Sequence, residues 1–301
     1  MKTIAILGGM SHIAKGLLDC FVREKQNHII WFGRSSASMK AFAEHLGTSL
    51  IDIREGYDDF LGIKADVIIN CIGAGTPNKL NGNYSLWFSV LEPFDNLCLQ
   101  YLTSVKKDAL YITFSSGAIY GREQGQLIIN PNAMTPPDYY TITRLYSEAK
   151  HRSMHDCNIA DIRIFSYFSH FADYESGYFL TDVMKALKSG RPLQTTCSDM
   201  TRDYIIPHDL SQLINCIIKQ KHINKAIDAY SKAPVKKSKI IEIIQKHFNM
   251  QIQYVDSQTS TSPNKTNDIY IPKNKEAAFL GYSPQFTSAE GIIHECKKAI
   301  Y

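Results

Sequence analysis

Three side chains in the 301-residue chain have the types and spacing for chemistry at a C–OH/C=O centre: Ser116, Tyr140 and Arg144. Ser116 ends the run Tyr111-Ile112-Thr113-Phe114-Ser115-Ser116, just before Gly117-Ala118-Ile119-Tyr120-Gly121. A β-branched and aromatic strand that stops in small hydroxylated residues puts that hydroxyl beyond the strand's carboxyl end, where open parallel sheets bind ligands. Tyr140 and Arg144 stand four apart at the start of a helix-like stretch, so they share one helical face. A phenol can exchange a proton with a substrate oxygen, and a neighbouring cation favours its ionised form. Tyr146 and Lys150 make a second phenol–cation pair. On one helix Tyr146 lies about 240° around and about 9 Å along from Tyr140, so the two pairs cannot serve one site. Tyr140 is preferred because it leaves room for a full helix before the strand expected from Asp161 to Phe165; Lys150 would leave barely two turns.

The elements that must position these groups alternate. Ile4 to Leu7 is a continuous apolar run of the kind buried on both faces of a parallel sheet. It enters Gly8-Gly9-Met10-Ser11-His12-Ile13-Ala14, then a helical stretch from Leu17 to Lys25. A tight turn feeding a helix N-terminus can cradle a pyrophosphate. The spacing is that of G-x-x-G-x-x-G with Gly8 in place and Ser11 and Ala14 at the other two positions. His12 is read as a loop residue at that turn. The second strand, His28 to Phe32, ends in Gly33-Arg34-Ser35-Ser36. An NAD site usually has a carboxylate there for the ribose 2′-OH, whereas Arg34 with Ser35 suits a 2′-phosphate. NADP is therefore expected, with NAD as the alternative. A helix from Met39 to Leu46 precedes a third strand, Ser49 to Ile53, where Asp52 could meet an adenine amino group or cap the turn, beside Ile53. The fourth strand, Asp66 to Ile72, carries Cys71 and Ile72 into Gly73-Ala74-Gly75, small enough for a cofactor ribose to approach. A helix from Tyr84 to Thr103, interrupted or kinked at Pro93, and a fifth strand from Ala109 follow. Such alternation implies an α/β, doubly wound parallel Rossmann sheet.

Composition narrows the class. Forty-four per cent hydrophobic residues and a net charge of only +4 describe a globular chain without a nucleic-acid-binding face. Lys236-Lys237-Ser238-Lys239 reads as the solvated start of a helix. Seven scattered cysteines without C-x-x-C read as buried free thiols, not metal ligands or disulfides. No apolar run approaches the ~20 residues of a membrane span, and the N-terminal strand is too short for a signal-peptide core, so a cytoplasmic protein is expected.

Assembled in order, these parts resemble the extended short-chain dehydrogenase/reductases, the NAD(P)-dependent epimerase/dehydratase family acting on nucleotide sugars. The resemblance covers nearly the whole chain. It is carried by the turn at Gly8, by Ser115-Ser116 through Tyr120-Gly121, and by Tyr140-x-x-x-Arg144-x-x-x-Glu148. It continues through Arg163-Ile164-Phe165-Ser166, Thr201-Arg202-Asp203-Tyr204-Ile205 with His208-Asp209-Leu210, and Asp268 with Lys273 to Leu280-Gly281-Tyr282-Ser283-Pro284.

What the resemblance implies is a Rossmann domain over residues 1–165, with about 201–228 returning to it, and a smaller C-terminal substrate-binding lobe over 166–301. Helices would span Gly177 to Ser189 and Asp209 to Lys219, an extended piece Pro192 to Thr196, and a surface loop Ser257 to Asn267. Ser116 would hold the reacting oxygen, Tyr140 would move its proton, and Arg144 stands where the family has lysine. Ser166 and Arg202 would meet the nucleotide sugar, Arg202 on its diphosphate. Family dehydratases carry Asp-Glu just after the serine; here Gly117-Ala118 offer no acid. The implied activity is NADPH-dependent reduction of a nucleotide-linked 4-keto-6-deoxysugar for surface-polysaccharide synthesis. The alternatives are a nucleotide-sugar 4-epimerase and, from another class, a non-catalytic NADP(H)-binding sensor. The family's helices often pair into homodimers.

Overall fold

The fold is described from a computed structural model covering residues 1–48, 51–75, 80–121, 127, 129–256 and 268–300. Seven strands form one sheet: β1 (Thr3–Leu7), β2 (His28–Gly33), β3 (Ile51–Glu55), β4 (Val67–Asn70), β5 (Leu110–Ser116), β6 (Asn158–Ile164) and β11 (Asn224–Asp228). All neighbours are parallel, in the order β11-β6-β5-β4-β1-β2-β3. The strand order reverses between β1 and β4, which opens a crevice at their carboxyl ends. Helices α1 (His12–Glu24), α2 (Ser36–His45), α3 (Leu86–Ser104), α4 (Pro136–Ser153) and α6 (Pro207–Ile218) flank this sheet.

Period-two alternation explains why both faces are covered. Ile4 and Ile6 pack with Leu17, Phe21, Leu213 and Ile217 on the α1/α6 side. Ala5 and Leu7 face Cys98, Leu99 and Leu102 of α3 on the other. Helix α3 runs through Pro93 without interruption.

Helix α4 begins with a capping box at Thr135 and Asp138 and a proline in its first turn. Its far end is anchored by a buried ionic cluster. His151 lies between Asp95 of α3 and Asp161 of β6, 2.8 Å from each, while Arg152 also reaches Asp161 and Lys150 also reaches Asp95. Burial alone would lower the His151 pKa, but the hydrogen bonds and charges of Asp161 and Asp95 raise it to about 9.

After β6 the chain builds a second core from Phe179, Val183, Met184, Ile240, Ile244 and Ile292. It unites α5 (Phe179–Ser189), α7 (Lys237–Phe248) and α8 (Ser288–Ile300). Strand β9 (Met200–Arg202) pairs with β12 (Val235–Lys236) and β14 (Asp268–Tyr270). β7 (Ser166–Tyr167) pairs with β10 (Tyr204–Ile205), and β8 (Leu193–Thr195) with β13 (Ile252–Tyr254). Between β10 and β12 the chain returns to the large sheet through α6 and β11 before completing the second core.

Two expectations are corrected here. Lys237 is not solvated: it is 6% exposed, and its Nζ donates to the carbonyls of Thr196 and Ser198. All seven cysteines are free, but only Cys71, Cys98 and Cys296 are buried; Cys20, Cys157 and Cys216 are half-buried and Cys197 is exposed. The loop expected from Ser257 to Asn267 lies outside the described residues.

Candidate active site

Ser116 ends β5, and its Oγ accepts from the Ala118 N–H, which turns the chain into the short 3-10 segment Gly117–Tyr120. That corner is held from beneath. Ser115 donates to Glu148 Oε1 at 2.5 Å, and Arg163 donates to both Glu148 oxygens. Arg163 Nη1 also donates to the Tyr120 hydroxyl, which donates to Asp228 at 3.0 Å. One buried network therefore ties β5, β6, β11 and α4 together and fixes Ser116 relative to the helix that carries Tyr140.

Tyr140 packs edge-on against Trp87, with ring centroids 5.4 Å apart. The Arg144 guanidinium lies over its ring, 5.1 Å from the centroid, and donates to the Phe114 carbonyl at 2.9 Å. The cation thus sits against the ring face and the strand backbone; its Nε is buried without a hydrogen-bond partner among the described residues.

A third phenol, which sequence reasoning missed, completes the cluster. Tyr270 of β14 places its hydroxyl 3.4 Å from Ser116 Oγ. Its ring is 5.0 Å from Phe165 and 5.7 Å from the Arg202 guanidinium. Burial pushes the Tyr270 phenol up, the Ser116 hydrogen bond pulls it down, and the nearby Tyr140 pushes it up again. The register Tyr270↔Arg202 in the small sheet explains the stacking. The sequence signal was only an aromatic between two β-branched residues, Ile269-Tyr270-Ile271, indistinguishable from a packing strand.

Ser116 and Tyr270 thus meet at the end of β5 with Arg202 over the Tyr270 ring, while Arg144, lying on Tyr140, reaches the same strand at the Phe114 carbonyl. Ser166 opens β7, two residues beyond the end of β6, and pairs with Tyr204. The other pair is elsewhere. Tyr146 is 50% exposed and donates to Glu92, and Lys150 donates to Asn96, so both face α3.

Of the residues expected to meet a cofactor, Gly8 to Ile13 follow β1, Arg34 and Ser35 follow β2, and Cys71 to Gly73 follow β4. Gly8 has φ +75°, and a Cβ there would lie 2.8 Å from the Cys71 carbonyl carbon and the Ile72 nitrogen. Only glycine fits that approach between β1 and the exit of β4. Ser11 caps α1 by accepting from the Ala14 N–H, which leaves the amides of His12 and Ile13 as first-turn donors with no helical carbonyl. Met10 is 40% exposed beside them. Beyond β4, Cys71 is buried, the Ile72 N–H is held by Asn70 Oδ1, and a Cβ on Gly73 would meet only open space. At the exit of β2, Arg34 is exposed, and Ser35 caps α2.

His12 and Asp52 differ from expectation. His12 opens α1 instead of standing in a loop, and its ring packs on Tyr167 at 4.7 Å. Burial, then the charge of Lys15, lowers its pKa to about 4, so the imidazole is neutral at pH 7. Asp52 does not end β3, which continues to Glu55; its carboxylate is paired with Arg54 at 2.8 Å, and Ile53 packs on the core.

No protein-family profile matches the chain, and no curated protein matches it in sequence. Solved structures do match in fold. UDP-glucuronic acid 4-epimerase from Bacillus cereus, bound to UDP-glucuronic acid and NAD, is 16% identical with a TM-score of 0.76, covering 99% of this chain and 100% of that one. UDP-N-acetylglucosamine 4-epimerase from Methanobrevibacter ruminantium M1, bound to UDP-N-acetylmuramic acid, is 15% identical with a TM-score of 0.80, covering 98% and 97%. dTDP-glucose 4,6-dehydratase from Bacillus anthracis, bound to NAD, is 12% identical with a TM-score of 0.73, covering 99% and 96%. The chain therefore shares its fold with these three enzymes over nearly all of its length.

Proposed function

We propose that the protein is a nicotinamide-dependent oxidoreductase acting at C4 of a nucleotide sugar, with 4-epimerisation as its net reaction. The observation that carries this reading is Tyr270: its hydroxyl lies 3.4 Å from Ser116 Oγ, its ring lies 5.7 Å from the Arg202 guanidinium, and burial and the nearby Tyr140 push its pKa up. Arg202 would clamp the diphosphate, for which a planar guanidinium is suited, and so bring the sugar up to the hydroxyl cluster. Ser116 would hold the C4 oxygen, and Tyr140 would take its proton and later return it. A dinucleotide lying across Gly8, with its pyrophosphate on the amides of His12 and Ile13, would supply hydride acceptance and return at C4. Gly73, where a Cβ would meet only open space, leaves room for such a cofactor. Gly117-Ala118 put no acid or base beside Ser116, which speaks against elimination of water.

Arg34 supports a second reading, an NADPH-dependent reductase of a 4-keto sugar nucleotide, because an exposed cation at the β2 exit suits a 2′-phosphate. A third, in which the chain only senses dinucleotide, gains from the Arg144 guanidinium lying on the strand carbonyl. One experiment separates them: the purified protein is incubated with NAD and UDP-glucuronic acid, UDP-N-acetylglucosamine or UDP-glucose, and the products are read by NMR. Inversion at C4 with no net change in NADH is expected. NADPH oxidation on 4-keto sugars without inversion would favour the reductase. Dinucleotide binding without turnover of either kind would leave the sensor.

A further inference from the structure

The reading above leaves the choice of dinucleotide to the exit of β2, and there the fold adds a group that the sequence order hides. The acid usually sought for the adenosine ribose follows β2; in this chain Arg34 follows it. The parallel register of β2 and β3 pairs Gly33 with Glu55, and the Gly56 N–H donates to the Gly33 carbonyl at 2.9 Å. The last residue of β3 is thereby carried to the same corner. Its carboxylate is oriented by the start of α2: Ser36 donates its hydroxyl proton to Glu55 Oε2 at 2.6 Å. The corner therefore holds an exposed cation, Arg34, and an exposed carboxylate, Glu55, on either side of the turn into α2.

We propose that Glu55 supplies, from β3, the carboxylate that receives the adenosine ribose hydroxyls, so that the site takes NAD(H) despite Arg34. This rests on the dinucleotide reading above. The chemistry is direct. A carboxylate accepts from the vicinal 2′- and 3′-hydroxyls of an unphosphorylated ribose and repels a 2′-phosphate. Ser36 holds one oxygen and leaves the other free to accept. Arg34 acts in the opposite sense, so the preference between the two cofactors is the balance of two side chains on adjacent strands.

The test is fluorescence titration of NADH and NADPH against the parent, Glu55→Gln and Arg34→Ala, at one ionic strength. Both residues are exposed, so the fold is not at stake, and thermal melts check that. The parent should bind NADH at least as tightly as NADPH. Glu55→Gln should shift the ratio of the two dissociation constants toward NADPH by about tenfold or more, the size expected for losing a charge-assisted hydrogen bond. Arg34→Ala should shift it the other way. A reduced dinucleotide lacking the 2′-hydroxyl should bind the parent more weakly than NADH but bind Glu55→Gln about equally. An unmoved ratio in Glu55→Gln, with both cofactors still bound, overturns the role of Glu55 alone. A parent that binds neither dinucleotide overturns the oxidoreductase reading and this inference with it.

Discussion

Helix α4 carries the same chemical pair twice, and the two copies have opposite surroundings. Tyr140 and Arg144 look toward the end of β5, with the lobe residue Tyr270 near them. Tyr146 and Lys150, six residues on, look toward α3, where Glu92 takes the phenol and Asn96 and Asp95 take the ammonium. The second pair matches the residue types of the resembled family literally, while the first has arginine in place of lysine. What separates them is the turn of the helix, about 240°. A phenol with a cation one turn away is abundant; such a phenol at the carboxyl end of a parallel strand is a candidate for catalysis.

The comparison is broken first by Tyr140→Phe. On the proposed chemistry this removes only the proton-transferring hydroxyl, so kcat should fall about a thousandfold while NADH affinity is unchanged. Parent-like turnover would move the chemistry off this face of α4.

The next effect concerns the anchor of the second face. Replacing His151 by Ala leaves Asp95 and Asp161 facing one another without their shared cation, and should cost about 3 kcal/mol or more in denaturant unfolding. The milder His151→Gln isolates the charge. The folded pKa of about 9 lies above the ordinary 6.5 of histidine, so the charge stabilises fully below about pH 6.5, weakens as pH rises, and is lost past about 9. The stability gap between parent and His151→Gln should therefore be widest in mild acid and close toward pH 9. A gap that widens with pH would mean that His151 is neutral in the fold.

Smaller effects sharpen the contrast. Tyr270→Phe keeps the ring between Phe165 and Arg202 and removes the hydroxyl near Ser116; kcat should drop about tenfold, with UDP affinity unchanged. Arg144→Lys keeps the charge and should leave turnover within about fivefold, unless the bond to the Phe114 carbonyl positions Tyr140, in which case the loss approaches that of Tyr140→Phe. Tyr146→Phe, which removes one exposed hydrogen bond, should change stability by less than about 0.5 kcal/mol and leave turnover alone.

Much of the frame was legible because it follows from local order. The apolar runs at Ile4, His28, Val67 and Leu110, separated by helix-length stretches, determine a parallel sheet, since only a crossover can join such strands. The turn at Gly8 and the hydroxylated end of β5 could be placed because both sit where a strand stops, and strand ends are marked by residue type. Most boundaries shifted by one to three residues and the start of α1 by five; β3 shifted enough to carry Asp52 into mid-strand and bring Glu55 to the exit.

Tertiary structure alone decided what lies beside those strand ends. Glu55 meets Ser36 across 19 residues, and Tyr270 reaches Ser116 across 154. Lys237 loses water to carbonyls about 40 residues earlier, and His151 is charged by carboxylates 56 residues before it and 10 after. Periodicity reports which way a side chain points within its own element. It carries no information on which other element arrives there, and the charge state, burial and partners of every group at this site depend on that arrival.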